Sequence, residues 1–275
     1  MEQLKVSVIV AVYKDIEALK LIVEAMKNQT YKHLELVVAE DNNAPEMAAF
    51  INSVQGLKVL HTCQEDQGIR KARSMNNAIL KSSGDYLIFI DGDCVPYSTF
   101  VEGHVKLAEK GAVLAGRRVN LGPKYSQRIR SGQLSALSVE KSYLWRLPLI
   151  IRDCQESHCE AGISLNSDGY LFSRLVKHKS PSIVGCNYSC FREDMVALNG
   201  YDESYGQTSL ADDTDLEWRF RAYNLKVKSC KYAANMFHLF HGRSHREIDS
   251  SNETAMMLAR KQQGLFRCEE GLSTH

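Results

Sequence analysis

The sequence predicts an α/β protein built on a doubly wound, mostly parallel β-sheet. Short runs of β-branched and apolar residues alternate with segments in which apolar residues recur at helical spacing. The strand-like runs are almost continuously hydrophobic, which is typical of parallel strands covered by helices on both faces. With 275 residues, 44% of them hydrophobic, the chain can bury one large core of this kind.

The predicted elements follow a regular order through residues 1–116. Strands are predicted at 5–13, 34–39, 57–61 and 86–90, and helices at 18–26, 45–54 and 69–80. Asp15 is placed to cap the first of these helices. Because the carboxyl ends of parallel strands share one edge of the sheet, we expect the polar residues that follow the strands to form a ligand site there.

The regular alternation stops after Gly116. We interpret residues 117–181 as a variable insertion with a helix inside 126–145, and residues 182–275 as the second half of one continuous domain. In that half the pattern predicts a strand at 182–191, a helical turn at 193–198, a helix at 212–223, a strand at 226–231 and a terminal amphipathic helix at 250–266. The sheet is therefore expected to carry a helical insertion and a C-terminal helix.

The charge balance argues against a nucleic-acid partner. Lys and Arg number 34 against 33 for Asp and Glu, so the formal net charge is only +1. A chain without a strong global field must hold any anionic ligand in a local site.

The sequence also lacks the marks of export or of a membrane span. Its N-terminal apolar run is about eight residues long and is not followed by a cleavage site. No stretch reaches the roughly 20 apolar residues that cross a bilayer. We therefore expect a cytoplasmic protein, with contact to the inner face of the membrane as an option. The terminal helix offers Met256, Met257 and Leu258 for such a contact, although packing of this helix on the core is favoured.

Eight cysteines are scattered along the chain. Without an export signal, reduced thiols are favoured over disulfides. The pairs Cys154/Cys159 and Cys186/Cys190 suggest zinc as an alternative, but neither has the two-residue gap common in structural zinc sites. Buried or idle thiols are therefore the favoured interpretation.

The strongest local signal is the segment 86–94, YLIFIDGDC, in which a buried strand runs directly into Asp91, Gly92 and Asp93. Carboxylates at a strand end need a counter-charge, and a divalent cation that bridges phosphate oxygens supplies one. By itself, an Asp-Gly-Asp triplet is also common in turns and helix caps.

A second cluster places Asp212, Asp213 and Asp215 before a predicted helix. Acids in a first turn favour the positive end of the helix dipole, so capping is a complete structural explanation for at least one of them. Crowded carboxylates also resist full ionisation, which can give one of them base character near neutral pH.

The third signal is His238 and His241 in the apolar segment 236–241, MFHLFH. A lone histidine is usually structural. Two of them within four residues of a predicted strand could instead complete a metal site begun by Asp93, because imidazole is a common metal ligand.

Taken together, these segments resemble a known family. The order VSVIVAVY, ELVVAEDNN, GIRKARSMNNAI and GDYLIFIDGDC resembles the nucleotide-binding half of a family 2 glycosyltransferase with the GT-A fold. The later stretch GCNYSCFREDMVALNGYDESYGQTSLADDTDLEWRFRAYNLKVK resembles the acceptor half of the β-galactosyltransferase and chondroitin-polymerase branch. The resemblance covers most of the chain except residues 117–180, and the order of the motifs is more specific than any single one.

The resemblance implies how the first half binds a nucleotide. Val12 and Tyr13 are expected to line the uracil pocket, and Glu40 or Asp41 to accept a hydrogen bond from the base. These four residues follow the first two predicted strands.

Further along, Arg70 and Arg73 are expected beside the nucleotide. Asp91, followed by Gly92, is expected to face the ribose, and Asp93 to hold Mn²⁺ or Mg²⁺ with the diphosphate.

In the second half, His238 and His241 match a late segment that supplies a metal ligand in the galactosyltransferase-like branch. Asp213 matches the catalytic carboxylate that removes the proton from the acceptor hydroxyl. Asp212 stands where the usual motif has Glu and is expected to help hold the acceptor. The Trp-Gly pair that often precedes this motif is replaced by residues 205–210, which leaves the identity of the acceptor open.

The resemblance thus implies a metal-dependent, inverting hexosyl- or N-acetylhexosaminyltransferase. Its donor is a UDP-sugar, and its acceptor is a glycan or lipid-linked glycan of surface polysaccharide synthesis. A sugar-phosphate nucleotidyltransferase is one alternative, but it usually has a glycine-rich loop where residues 13–15 read Tyr-Lys-Asp. A non-catalytic carbohydrate-binding relative is another, but it is expected to have lost Asp93 or Asp213.

Overall fold

A computed structural model describes residues 3–176, 181–208, 210–242 and 250–275 of the chain. Its strands are β1 (Val6–Val12), β2 (Leu34–Glu40), β3 (Val59–Cys63), β4 (Tyr86–Asp91), β5 (Cys94–Pro96), β6 (Ala112–Ala115), β7 (Val119–Asn120), β8 (Asn187–Phe191), β9 (Lys226–Ser229) and β10 (Met236–His238). Its α-helices are α1 (Ile16–Lys27), α2 (Pro45–Ser53), α3 (Lys71–Lys81), α4 (Phe100–Leu107), α5 (Pro123–Arg130), α6 (Ala136–Lys141), α7 (Tyr143–Asp153), α8 (Tyr170–Leu175), α9 (Arg192–Ala197), α10 (Thr214–Ala222) and α11 (Ser251–Gln263).

The central sheet of the described chain has seven strands in the order β3-β2-β1-β4-β8-β6-β9. β1 pairs in parallel with β2 and β4, and β2 pairs in parallel with β3. β8 is reversed, because it runs antiparallel to both β4 and β6, whereas β9 is parallel to β6. The predicted α/β class with a mostly parallel sheet is confirmed.

Helices cover both faces of this sheet. Along β1, Val8 and Val10 are buried in a hydrophobic cluster that includes Leu19 of α1. Ile9, between them, is buried in the opposite cluster with Ile79 of α3. Burying such an aliphatic side chain contributes about 1.5–3 kcal/mol. The uninterrupted apolar sequence of β1 therefore follows from its position between two layers of helices.

A small second sheet joins three distant segments in the order β5-β10-β7. β10 runs antiparallel to β5, with His238 opposite Cys94, and parallel to β7, with His238 opposite Asn120. The backbone N–H of Leu239 donates to the carbonyl of Asp93 at 2.9 Å. This sheet fixes the histidine segment against the residues that follow β4.

The segment interpreted as an insertion, 117–181, contains α5 to α8, and its residues 177–180 lie outside the described part of the chain. Tyr125, Ile129 and Ile150 from this segment are buried in the same cluster as β1. This segment is therefore continuous with the main core.

Several elements depart from the prediction. The strand expected at 182–191 begins only at Asn187, because the backbone N–H of Ile183 donates to the Glu217 carboxylate at 2.9 Å instead of to a neighbouring strand. The sequence did not predict β5, β6 and β7, which have only three, four and two residues and are too short to show a period.

The terminal helix α11 packs on the core, as the sequence favours. Met257 is buried in a cluster with Tyr205 and Trp218, and Arg260 pairs with Asp202. None of the described helices is long and apolar enough to cross a membrane.

All eight cysteines are free thiols, and most of them are buried, as predicted. No cysteine belongs to a group of three potential metal ligands in the described ranges. The zinc alternative therefore has no support from the described residues.

Candidate active site

A cavity of about 440 Å³ opens at the carboxyl ends of β1, β2 and β4. Its lining comes from the ends of these strands, the start of α3, and single residues of α5 and of the segment after β10. The lining residues are Ala11, Val12, Tyr13, Asp15, Ala39, Asp41, Gly68, Ile69, Lys71, Ser74, Asp91, Gly92, Asp93, Arg130 and His241. Ligands of doubly wound sheets bind at this edge. The volume also lies within the range of about 300–1,000 Å³ that is typical of small-molecule sites.

Val12 and Tyr13 form one side of the cavity at the end of β1. Val12 is buried, whereas Tyr13 is 52% exposed. The Tyr13 hydroxyl donates to Asp66 at 3.3 Å, and the Lys14 ammonium pairs with the same carboxylate at 2.6 Å. These contacts hold an aromatic ring at the mouth of the cavity.

The structure separates the two acids at the end of β2. Glu40 is fully buried, does not line the cavity, and bonds to His61 Nε2 at 2.7 Å. Asp41 lines the cavity and accepts hydrogen bonds from the Gln64 amide and the Arg70 backbone N–H, both at 2.7 Å. Of the two alternatives, Asp41 is therefore the one that faces the cavity.

The two predicted arginines do not line the cavity. The side chain of Arg70 donates to the carbonyl of Glu65, and Arg73 is exposed on α3. The cation that this segment brings to the cavity is Lys71, which the sequence analysis missed.

Asp93, His238 and His241 form the one group of three potential metal ligands within residues 3–176, 181–208, 210–242 and 250–275. Asp93 Oδ2 lies 3.3 Å from His238 Nε2 and 3.1 Å from His241 Nε2. Asp93 and His241 also line the cavity, so the group stands at its edge.

The side chains of this group fit a divalent cation. His238 Nε2 is buried, and its 3.3 Å approach to Asp93 Oδ2 does not have the geometry of a hydrogen bond. Leaving such an atom without a partner costs about 1–3 kcal/mol, and a bound cation would remove that cost. Burial alone raises the pKa of Asp93, but the two imidazoles hold this pKa well below its usual range. The Asp93 carboxylate in turn raises the pKa of His241.

Lys71 joins carboxylates from the two halves of the chain. Its Nζ lies 2.7 Å from Asp91 Oδ1 and 2.5 Å from Asp212 Oδ2. Burial lowers the pKa of Lys71, but the two carboxylates raise it well above the ordinary value. Lys71 is therefore charged at neutral pH and links the end of β4 to the segment before α10.

Asp212 is closely enclosed. A Cβ at Gly185 would collide with its carboxylate, and Asp212 Oδ1 is buried without a hydrogen-bond partner. Burial raises the pKa of Asp212 to about 6. The nearby charges of Asp91 and Asp213 add to this rise, while Lys71 opposes it.

The other two acids of this cluster differ in role. Asp213 is at the N-cap position of α10 but makes no side-chain capping bond; its carboxylate accepts from the Thr214 hydroxyl at 3.2 Å. Asp215 is buried, pairs with Arg219 at 3.0 Å and accepts from the indole N–H of Trp218. Asp215 therefore has a structural role, and Asp213 remains partly exposed beside Asp212.

Two more arginines approach the cavity region from residues 117–130. Arg130 lines the cavity and binds Asp15 through two hydrogen bonds of 3.0 and 2.8 Å. Arg118 is partly buried, and Asp93 is among the charges that act on it. Neither arginine lies in a motif, so no sequence signal could have identified them.

Comparison with known proteins identifies the sequence family. Residues 7–163 match the family model for glycosyl transferase family 2. Glycosyltransferase AglE of Haloferax volcanii is 35% identical over 121 residues, which cover 42% of this chain and 39% of that protein. WfaP of Escherichia coli, a UDP-Glc:alpha-D-GlcNAc-diphosphoundecaprenol beta-1,3-glucosyltransferase, is 26% identical over 105 residues, covering 38% of this chain and 41% of that protein. The chain therefore matches less than half the length of these relatives.

Solved structures show the same fold. The Pyrobaculum calidifontis mannosyltransferase PcManGT, in complex with GDP-Man and Mn²⁺, superposes with a TM-score of 0.58 at 14% identity, covering 95% of this chain and 63% of that one. S. aureus TarS in complex with UDP gives a TM-score of 0.60 at 11% identity, covering 98% of this chain and 68% of that one. These neighbours confirm the GT-A fold predicted from the sequence.

We expect Asp212→Asn to raise the free energy of unfolding near neutral pH. The pKa of Asp212 is raised from 3.8 to about 6 in the folded chain, so its ionised form is less favourable there than in the unfolded chain. The gain should be about 1–3 kcal/mol above a pH of about 6 and should vanish below a pH of about 4. Denaturant unfolding of both proteins across this range measures it. An equal loss of stability at both ends of the range would contradict the prediction.

Proposed function

The chain belongs to glycosyl transferase family 2, and from this we propose that it is a metal-dependent, inverting enzyme acting on a UDP-sugar. It passes a hexosyl or N-acetylhexosaminyl group to a hydroxyl of a glycan or lipid-linked glycan. The donor and acceptor classes are supported by the name of WfaP, which specifies UDP-Glc and a diphosphoundecaprenol acceptor. We further propose that the product enters surface polysaccharide synthesis and that transfer takes place in the cytoplasm, at the inner face of the membrane.

The observation that carries this proposal is the position of the metal-ligand group. Asp93, His238 and His241 converge at the edge of the cavity that Asp41 and Asp91 also line. A nucleotide diphosphate is an anion that needs a cation at such a place, since carboxylates alone would repel it.

The donor nucleotide occupies the cavity in this proposal. Uracil lies beside Val12 and stacks on the half-exposed ring of Tyr13, and Asp41 accepts a hydrogen bond from the base. Asp91, followed by Gly92, faces the ribose. Gly92 is needed here because a Cβ would lie 2.6 Å from the carbonyl oxygen of Ala11.

Asp93, His238 and His241 hold the cation. Two imidazole nitrogens favour a transition metal such as Mn²⁺ over Mg²⁺, which prefers oxygen ligands. When bound, this ion supplies charge neutralisation for the departing diphosphate, a contribution on the order of several kcal/mol. Arg118 adds a fixed positive charge on the same side.

Asp213 is the general base that removes the proton from the acceptor hydroxyl. Asp212 has the raised pKa, but its Oδ2 is bound to Lys71. Among the described residues, no lysine or arginine pairs with Asp213, so its carboxylate is more available to accept a proton than that of Asp212. Asp212, which Lys71 fixes beside Asp213, instead helps to hold the acceptor. One base and one displacement give inversion.

We expect Asp93→Ala to weaken Mn²⁺-dependent binding of UDP by at least about tenfold, because it removes the carboxylate ligand. His241→Asn should have the same direction of effect. His275→Asn, which alters a histidine paired with Glu203, is the matched control and should leave binding unchanged. Isothermal titration of UDP with and without Mn²⁺ measures each variant. Unaltered metal dependence in Asp93→Ala would reject the assignment.

We expect the wild-type chain to release UDP from at least one UDP-sugar when Mn²⁺ and a glycan acceptor are present. It should turn over this UDP-sugar faster than GDP-mannose.

In the same assay, Asp213→Asn should lower kcat by about 10² to 10⁴, because a positioned base contributes this much. Its folding and UDP binding should be little changed, since Asp213 makes no buried ion pair in the described structure.

Two outcomes of that assay would count against the proposal. Normal turnover by Asp213→Asn would remove this residue from the role of base. Absence of turnover with every donor would reject an enzyme and favour a carbohydrate-binding relative. Asp168→Asn, at an exposed site away from the cavity, serves as the matched control.

A further inference from the structure

Helix α7 presents an apolar face to solvent. Leu144, Trp145, Pro148 and Leu149 are spaced by one turn, so they lie on the same side of the helix. All four are exposed with respect to the described residues, and Trp145 is 90% exposed. These four residues form the α7 outer face.

The opposite side of α7 is anchored on the core. Tyr143 and Ile150 are buried in the main hydrophobic cluster, and Leu147 packs against it. At the end of the helix, the Asp153 carboxylate accepts from the backbone N–H of Tyr125 in α5 at 2.9 Å. The α7 outer face is therefore presented by a fixed helix, which is apolar on both sides.

Such a face has no structural purpose in water. A helix that is hydrophobic all round is normally buried or in contact with lipid. A contiguous patch of exposed leucine and tryptophan side chains marks an interaction surface, whereas single exposed apolar residues are ordinary. The α7 outer face is therefore a candidate interaction surface.

The surrounding charge selects the kind of occupant. Residues 123–153, which hold α5 to α7, contain six basic and two acidic side chains, although the whole chain is balanced at +1. The six are Lys124, Arg128, Arg130, Lys141, Arg146 and Arg152. Both acids are already engaged, since Glu140 accepts from Ser98 and Asp153 from α5. Arg130 is likewise engaged by Asp15, which leaves five basic side chains in the region of the α7 outer face.

We propose that the α7 outer face docks the chain on an anionic lipid bilayer. Its tryptophan and leucine side chains enter the interface between headgroups and acyl chains, and Arg128, Arg146 and Arg152 contact lipid phosphates. Apolar burial combined with attraction to anionic lipid is the physical basis of interfacial helices. Tryptophan is especially suited to this depth, because its ring is apolar and its N–H is polar.

This docking also bears on the acceptor. α5 is bonded to α7 through Asp153, and its last residue, Arg130, lines the cavity. The single helix α5 thus joins the helix that would contact the membrane to the cavity. We infer that the acceptor is a lipid-linked glycan, an inference that rests on the proposed transferase function, whereas the membrane contact does not.

The terminal helix is the element that the sequence suggested for membrane contact. Leu258 and Leu265 are exposed there, but Met257 is buried and Arg260 is held by Asp202. This region therefore has exposed leucines without the same excess of free cations, and it provides a matched control.

Flotation with lipid vesicles tests the proposal. The wild-type chain should float with vesicles of phosphatidylglycerol and phosphatidylcholine and much less with phosphatidylcholine alone. Trp145→Ser/Leu149→Ser should reduce partition by about tenfold or more, since both lost side chains enter the interface. Leu258→Ser/Leu265→Ser should bind as the wild type does.

Tryptophan fluorescence gives a second readout. Because Trp218 is buried, a blue shift on vesicle binding should come from Trp145 and should be absent from Trp145→Ser/Leu149→Ser.

Three results would overturn the proposal. The first is a wild-type chain that does not float with anionic vesicles. The second is equal flotation of the two double variants and the wild type. The α7 variant could also convert an oligomer into a monomer in size-exclusion chromatography without any vesicle binding, which would make the face an interface between copies.

Hydrolysis of a UDP-sugar in the absence of lipid reports the transferase function separately. Turnover without vesicle binding would overturn only the membrane docking. Vesicle binding without turnover on any donor would overturn only the transferase.

Discussion

The pairing of β10 with β5 is the constraint on which the candidate site depends. It sets His238 opposite Cys94, one residue after Asp93, and the Leu239 N–H holds the Asp93 carbonyl at 2.9 Å. Both histidines are thereby brought to the end of β4, more than 140 residues away in sequence. This short sheet therefore fixes the two imidazoles beside Asp93, and with them the position of the candidate cation site.

A second link joins the two halves of the chain beside the cavity, in the region where the proposed function places donor and acceptor. Lys71 starts α3 and bridges Asp91, at the end of β4, to Asp212, before α10. Its charge keeps two carboxylates close together that would otherwise repel each other. The same contact engages Asp212, whereas no lysine or arginine among the described residues pairs with Asp213, so the proposed division of roles between these acids follows from one ammonium group.

The strand and helix order through β4 could be predicted because its periodicity is local in the sequence. The Asp-Gly-Asp and His-x-x-His patterns could be identified because each lies within a few consecutive residues. The sequence could not choose between Glu40 and Asp41, because neighbouring residues of an extended chain point to opposite sides and the pattern does not say which side is the cavity. Lys71 could not be found either, because one of its partners lies 141 positions away and appears only once the chain is folded.

The central claim is that a single cation at the end of β4 is held by imidazole nitrogen and carboxylate oxygen while it binds the donor diphosphate. Pulsed electron paramagnetic resonance of Mn²⁺ bound with UDP tests this claim most directly. We predict nitrogen couplings from the His238 and His241 rings together with phosphorus couplings from UDP in the same complex. A Mn²⁺ signal with phosphorus but without histidine nitrogen would contradict the account, because the ion would then be bound elsewhere.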